Sequence, residues 1–364
     1  MKILAIESSC DESAAAVLAY TEDTGAVILA ENVSSQIEKH RPFGGVVPEL
    51  AAREHITNLP HVVGETLQQS GLVVEDLDLI AVTAGPGLKG CLLVGLNFAK
   101  GLSFRSGVPL LPVNHLEGHL LAGFLAPEAE RPHYPVLSLL VSGGHSELVY
   151  SSRPGDYQPV CRTRDDAAGE AFDKIATLLG LPYPGGPELS RAAADGDGSR
   201  FHFVIGMKDV ADAFSFSGLK TSVMQACATA QRQGDDERLV VDMAASAERA
   251  IIDALLLKTE GFLLRQLETN TSMMPASLQI TGGVAANRLL REEFSTLARE
   301  FSVRFSPAPL KWCTDNAAMI AYAALARVLE TGGEVLSEKF QELTPRVDVR
   351  SRWRVENAWE MEVI

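Results

Sequence analysis

The chain has 364 residues, enough for two domains of ordinary size. Hydrophobic residues at 46% and charged residues at 22% exclude a disordered or fibrous chain. With 32 Lys and Arg against 47 Asp and Glu, the net charge is −15, which argues against gripping nucleic acid through the overall field; an RNA partner would need a local basic patch or a helper protein.

The apolar run at residues 2–6 meets Glu7 too early for a signal peptide. No apolar stretch of about 18 residues is free of charge, so no membrane-spanning helix is expected. Cys10, Cys91, Cys161, Cys227 and Cys313 are scattered without a CxxC pair, which suits a reducing cytosol and indicates neither a zinc ribbon nor a disulfide framework. The expectation is a soluble cytoplasmic protein.

In chain order, the first half reads as a strand at 2–6, a polar turn at 8–13 and a strand at 14–18. A strand at 77–83 then leads through the turn 84–87 into a helix from Gly90 to about Phe104. A strand at 108–113 leads into a helix beginning near His115. The second half repeats the plan: strand 136–141, turn 142–146, strand 148–150; then strand 278–281, Gly282 and Gly283, and a helix from 285 to about 300; then strand 303–306 and a helix near Asp315. Two α/β lobes with a cleft between them match an actin-like (ASKHA) duplicated two-lobe fold. The expected division is 1–130 for the first lobe and 131–364 for the second. Residues 155–270, mostly helical in pattern and punctuated by Gly and Pro at 181–187 and 195–198, read as a helical insertion in the second lobe.

His115 and His119 stand at i, i+4, so one helix face brings both imidazoles within reach of a single metal ion. A pair of core or surface histidines is the plain alternative. The strand-to-helix junction, where α/β sheets place ligands, and Asp315 at the matching junction of the second half favour a three-ligand site. The pair is not a zincin motif, because Glu117 does not directly follow His115 and faces elsewhere. Glycine turns at Gly85–Gly87, Gly143–Gly144, Gly185–Gly186 and Gly282–Gly283 let backbone amides approach a phosphate. None matches a P-loop or a dinucleotide fingerprint. Asp165, Asp166, Glu170 and Asp173 crowd one segment, either as a solvated helix start or with Asp173 accepting ribose hydroxyls. Asp11 and Glu12 sit in the first turn as proton acceptors, as substrate-orienting groups or as plain turn residues. The stretch 346–354, with four Arg and Trp353, could touch an RNA backbone or pack its Trp on the body.

Residues 3–13, 44–49 with 52–56, 85–88, 114–119, 141–145, 166–174, 215–221, 282–287 and 313–320 together resemble the bacterial TsaD (formerly Gcp) family of tRNA N6-adenosine threonylcarbamoyltransferases, in order along nearly the whole chain. The resemblance implies an actin-like fold and transfer of a threonylcarbamoyl group from threonylcarbamoyl-AMP to N6 of adenosine 37, in tRNAs reading codons that begin with A. It implies one divalent metal on His115, His119 and Asp315, iron first and zinc as the alternative. It places the adenylate on Ser142, Gly143, Gly144, His145 and Ser146, with Asp173, Gly186 and Asn287. It implies two protein partners, a TsaB-like actin-fold paralogue and a TsaE-like small ATPase, and no membrane. Three departures stand out: Ser146 where the family commonly has Thr, Ser190 where many members have Asp, and residues 201–206, which lack the family's Pro-rich pattern. The rival readings are an actin-like ATPase or small-molecule kinase, which has no use for two imidazoles, a scaffold without a metal triad, and a glycoprotease, which the absent HExxH disfavours.

Overall fold

In the computed structural model, which describes residues 1–233, 238–269, 273–342 and 344–360, the chain divides into two compact units. Unit 1 holds Met1–Arg131, Pro154–Tyr157 and the chain from Thr314 on; unit 2 holds Pro132–Arg153 and Gln158–Cys313.

Unit 1 starts with β1 (Lys2–Glu7), β2 (Glu12–Thr21) and β3 (Gly25–Ser35), each antiparallel to the one before. A single turn, α1 (Ile37–His40), precedes α2 (Pro48–Ser70). Pro48 opens α2 where a missing N–H costs nothing, and Gly71 in the left-handed conformation closes it. Then come β4 (Leu79–Gly85), α3 (Lys89–Ser106), β5 (Leu110–Asn114) and α4 (His115–Leu121). β4 lies parallel to both β1 and β5, giving the sheet order β3-β2-β1-β4-β5. The central parallel strands are buried on both faces, which is why 79–85 is an apolar run broken only by Thr83 and not an alternating one. α2 and α3 close a core of Leu4, Ile6, Val17, Leu59, Ile80 and Leu96.

Unit 2 repeats this plan. β6 (Val136–Val141), β7 (Ser146–Arg153) and β8 (Asp156–Thr163) open it. Helices α5 (Ala168–Leu178) and α6 (Gly185–Ala193), strand β9 (Ala213–Phe214), and helices α7 (Ser217–Gln233) and α8 (Leu239–Thr269) follow. β10 (Ser277–Thr281), α9 (Arg288–Glu300) and β11 (Arg304–Phe305) complete the unit. The order β11-β10-β6-β7-β8-β9 places the unit's first five core strands as unit 1 does, with β10 parallel to β6 and β11 and β7 antiparallel to β6. The duplication is therefore one of topology, and the fold is actin-like. The segment 155–270 is not purely helical, since it supplies β8 and the edge strand β9.

Helix α10 (Ala317–Glu330) departs from the expected division at 130/131. It follows β11 in sequence, yet it packs on β1, β2, β4, β5 and α4 of unit 1. Its physical reason is its Ala-rich surface: Ala317 through Ala321 and Ala323 through Val328 are all buried, so the helix needs cover around most of its circumference. No helix among the described residues is long and apolar enough to cross a membrane.

Candidate metal centre and substrate site

Asparagine caps set the metal-ligand candidates. Asn114 ends β5, and its side chain accepts the N–H groups of Leu116 (2.9 Å) and Glu117 (3.3 Å), starting α4 on His115. Asn316 accepts the Met319 N–H (2.9 Å) and starts α10 directly after Asp315. All seven residues of α4 are buried, and the two imidazoles stand edge to face with centroids 4.8 Å apart. His119 Nε2 lies 3.1 Å and His115 Nε2 3.5 Å from the same Asp315 Oδ1. The three donor atoms fall within 4.8 Å of one another. Two donors about 2.1 Å from one ion at tetrahedral or octahedral angles stand about 3.0–3.4 Å apart, so this group fits a metal. His115, His119 and Asp315 all belong to unit 1, and Asp315 stands at the β11–α10 junction that answers β5–α4 in chain order, as the repeat predicts.

The partner that sequence reasoning missed is Glu7. Its Oε2 faces His115 Nδ1 at 3.0 Å, and its carboxylate accepts the Ser9 N–H and the Thr83 hydroxyl. Ser9 Oγ lies 3.2 Å from the same Nδ1. A carboxylate on the far nitrogen of an imidazole fixes the tautomer and leaves Nε2 to bind metal. The available signal was a lone charge ending an apolar strand. Electrostatics agree: burial would push the His115 imidazole down, but Asp315 and Glu7 hold it well above the usual histidine range. Burial would raise Asp315, and His115 with His119 holds it well below its ordinary value. A buried carboxylate, Glu7, and a half-buried one, Asp315, thus favour a cation at this point. Asp11 is buried in the turn between β1 and β2, where its backbone carbonyl accepts the Gln36 N–H at 3.1 Å. Burial, then Asp315 and Asp11, pushes the neighbouring Glu12 well above the carboxylate range.

Glu117 points away from the histidines. Its Oε1 accepts Tyr157 Oη at 2.9 Å and Trp359 Nε1 at 2.5 Å, and burial pushes its carboxyl up to about 7. It clamps α4 and takes no part in a protease motif.

The remaining candidates lie in unit 2. Residues 142–146 form the β6–β7 turn, closed by Ser142 N–H to His145 O (2.8 Å) and His145 N–H to Ser142 Oγ (3.2 Å). Gly143 and Gly144 are exposed, and a methyl added at either would meet nothing within 4 Å. Ser146 is buried, and its Oγ accepts the Ala168 N–H at the start of α5 (2.8 Å). Asp173 Oδ1 accepts the Gly186 N–H at 3.1 Å, tying α5 to the first turn of α6. Asn287 caps α9 through Leu290 N–H (2.9 Å) and donates through Nδ2 to Ser190 Oγ (2.9 Å) and Glu248 Oε1 (2.6 Å). The crowded acids separate by role: Asp165 caps α7 through Ser215, Phe216 and Ser217, Asp166 pairs with Lys174 at 2.7 Å, and Asp173 alone meets a glycine turn.

Two sequence features resolve as structure. A methyl on Gly85 (φ 147°) would lie 1.9 Å from the Arg350 carbonyl oxygen, and Arg350 N–H donates to Ala84 O at 2.8 Å. The chain's own C-terminal segment fills that turn, so it does not cradle a phosphate. Trp353 is buried, with the Arg350 guanidinium 4.7 Å over its ring, in keeping with the packed-tail reading of 346–354.

Fold and donor set together define an actin-like protein with a His₂Asp group that could hold a metal ion. The comparisons narrow this. The TsaD model, tRNA N6-adenosine threonylcarbamoyltransferase, matches residues 27–322. The enzyme of that name from Desulfitobacterium hafniense (strain Y51) is 47% identical over 331 residues, 91% of this chain and 93% of its own. The one from Aromatoleum aromaticum is 45% identical over 357 residues, 97% of each chain. Among solved structures, HypF of T. kodakarensis shares the fold, with a TM-score of 0.59 at 16% identity; the match covers 91% of this chain and 48% of HypF, about half its length. The chain belongs to the tRNA N6-adenosine threonylcarbamoyltransferase family, an acyltransferase family of tRNA modification.

Proposed function

We propose that the chain transfers the threonylcarbamoyl group of threonylcarbamoyl-AMP to N6 of adenosine 37 in tRNAs reading codons that begin with A, releasing AMP. Beyond family membership, the observation that carries this reading is the convergence of His115, His119 and Asp315 donors within 4.8 Å, backed by Glu7. These three residues would hold a divalent metal, iron first and zinc second, since imidazole and carboxylate suit both. When bound, the metal supplies Lewis-acid polarisation of the threonylcarbamoyl carbonyl.

The chain's own residues do the rest. Glu7 holds His115 in one tautomer. Amides of 142–146 bind the phosphate, Asp173 accepts from the ribose beside Gly186, and Asn287 completes the adenylate contacts. The adenosine N6 attacks the carbamoyl carbon, the bond from that carbon to the phosphate oxygen breaks, and AMP leaves with the electron pair. Asp11, in the β1–β2 turn, serves in this reading as acceptor of the N6 proton. A net charge of −15 supports a division of labour in which a TsaB-like paralogue and a TsaE-like ATPase help to hold tRNA, in the cytoplasm.

The test mixes the chain with these partners, threonylcarbamoyl-AMP and an A-codon-reading tRNA, and measures modified adenosine by mass spectrometry. Product that vanishes on chelation and with Asp315→Ala is expected. No product, with steady ATP hydrolysis by metal-free protein, would favour an actin-like ATPase.

A further inference from the structure

The helix that carries both imidazoles is too short to hold itself. α4 has seven residues, and an isolated helix of that length is unstable in water. Its pose is set from outside, on faces the ligands do not use. At about 100° per residue, Glu117 falls on the side of α4 opposite His115 and His119. Gly118 meets α10 closely: a methyl there would lie 2.8 Å from Ile320 Cδ1 and 3.0 Å from Met319 Cγ. A second support is the segment 350–360, which belongs to unit 1 with α4. Its Trp353 carbonyl accepts Asn114 Nδ2 at 3.2 Å, so it holds the residue that caps α4. Its Trp359 Nε1 donates to Glu117 Oε1 at 2.5 Å, so it also holds the far side of the helix. The indole is itself fixed: a methyl on Gly155 would lie 2.7 Å from its ring, and Arg327 of α10 donates to the Trp359 carbonyl at 2.9 Å.

We propose that Trp359 is a positioning residue for the metal-ligand helix, acting through Glu117 to fix the rotation of α4 about its axis and with it the two imidazole nitrogens. This assignment rests on the reading of His115, His119 and Asp315 as metal ligands. Apolar packing alone would bury the outer face of α4 at less cost than a carboxylate, but packing is not directional. Hydrogen bonds from Trp359 and Tyr157 to one Glu117 oxygen are directional, and they define an angle. An imidazole nitrogen about 6 Å from the helix axis moves about 1 Å for a rotation of about 10°. Metal–donor distances tolerate only about 0.2 Å, so a small loss of rotational control costs affinity. Coupling of this kind is reciprocal: a bound metal favours the docked segment by the factor that the docked segment favours the metal.

The experiment is competition for zinc between the full chain and a chelating dye, with visible spectra of the cobalt-loaded protein, for wild type, Trp359→Phe and Arg354→Ala. W359F keeps a ring and loses the N–H. It is expected to bind zinc about tenfold more weakly, the low end of what groups orienting metal ligands contribute, and to shift the cobalt bands. R354A, on the exposed side of the same segment, is expected to match wild type in both. In wild type, zinc is expected to slow amide exchange at 353–360 by about the same tenfold. W359F that melts lower yet keeps wild-type zinc affinity and cobalt bands would overturn the assignment alone, leaving Trp359 a packing residue. Exchange at 353–360 that zinc leaves unchanged would overturn it without recourse to a variant. Wild type that binds neither zinc nor cobalt would overturn the metal reading and the assignment with it.

Discussion

Gly169→Ala is the most informative single change in unit 2. Gly169 is the second residue of α5, and its N–H donates to the Ser142 carbonyl at 3.2 Å. A methyl there would lie 2.5 Å from the Ser142 carbonyl oxygen, 2.8 Å from its carbon and 2.9 Å from Gly143 Cα. Ordinary carbon contacts are about 3.5–4.0 Å, so the 142–146 turn must move by about 1 Å, and every atom in the way is backbone. Overpacking of this kind costs about 1–3 kcal/mol, while Ala gains about 1 kcal/mol over Gly inside a helix. The net loss of stability is therefore about 0–2 kcal/mol, a melting shift of a few degrees in a chain of this size. Displacing a positioning turn by about 1 Å costs up to about 100-fold in function. Calorimetric titration with AMP should show a loss of at least about tenfold in protein that remains folded. Gly218→Ala, on α7 with nothing within 4 Å, is the control and should leave binding intact. Folded G169A with wild-type AMP affinity would refute the claim that the 142–146 turn holds the phosphate.

Glu7→Gln should weaken metal binding by about 10–100-fold while keeping the fold, measured by competition with a chelating dye, because the neutral amide orients His115 less strongly. His119→Ala should leave the purified protein with little metal by elemental analysis, since it removes one of three donors. Glu117 gives a pH signature: burial raises its carboxyl from 4.5 to about 7 in the folded chain, so its contribution is fully present below about 4.5 and is lost as pH rises through 7. At about 1.4 kcal/mol per pH unit, that loss approaches about 3 kcal/mol above pH 7, and Glu117→Gln should flatten the melting-temperature profile over this window. The isolated chain should bind tRNA weakly and lose that binding as salt rises, by filter binding across a salt series; tight, salt-resistant binding would contradict the reading of its −15 charge.

Much of this is legible in the sequence because it follows from local periodicity. The i, i+4 spacing of His115 and His119 fixes their shared face once Asn114 caps α4, and the strand–turn–strand plan at 136–150 repeats that at 2–18. What is not legible depends on long-range packing. Glu7 and His115 are 108 positions apart, and no local pattern joins them. α10 looks like the last helix of the second half until its burial shows that unit 1 encloses it. Glu248 lies in a stretch whose pattern reads only as helical insertion, and Asn287, which donates to it, stands 39 positions on.

The duplicated turns show why a repeated motif need not repeat a function. In unit 1 the turn after β1 is sealed: Ser9 and Glu7 face His115, and Gly87 approaches so closely that a methyl on it would lie 2.6 Å from the Ser9 carbonyl oxygen. The next turn, at Gly85, is filled by the Arg350 backbone. In unit 2 the turn after β6 leaves Gly143 and Gly144 exposed, and the turn after β10 ends in Asn287 with its hydrogen bonds to Ser190 and Glu248. One copy of the topology has thus spent its glycines on close packing around a rigid donor set, which a metal needs if its ligands are to hold their geometry. The other packs Gly185 and Gly282 as closely but keeps Gly143, Gly144 and Gly283 open, where backbone amides can meet a phosphate. Glycine at a strand end specifies only that something comes close; whether that is the chain itself or a ligand is decided by which residues far away in sequence occupy the space.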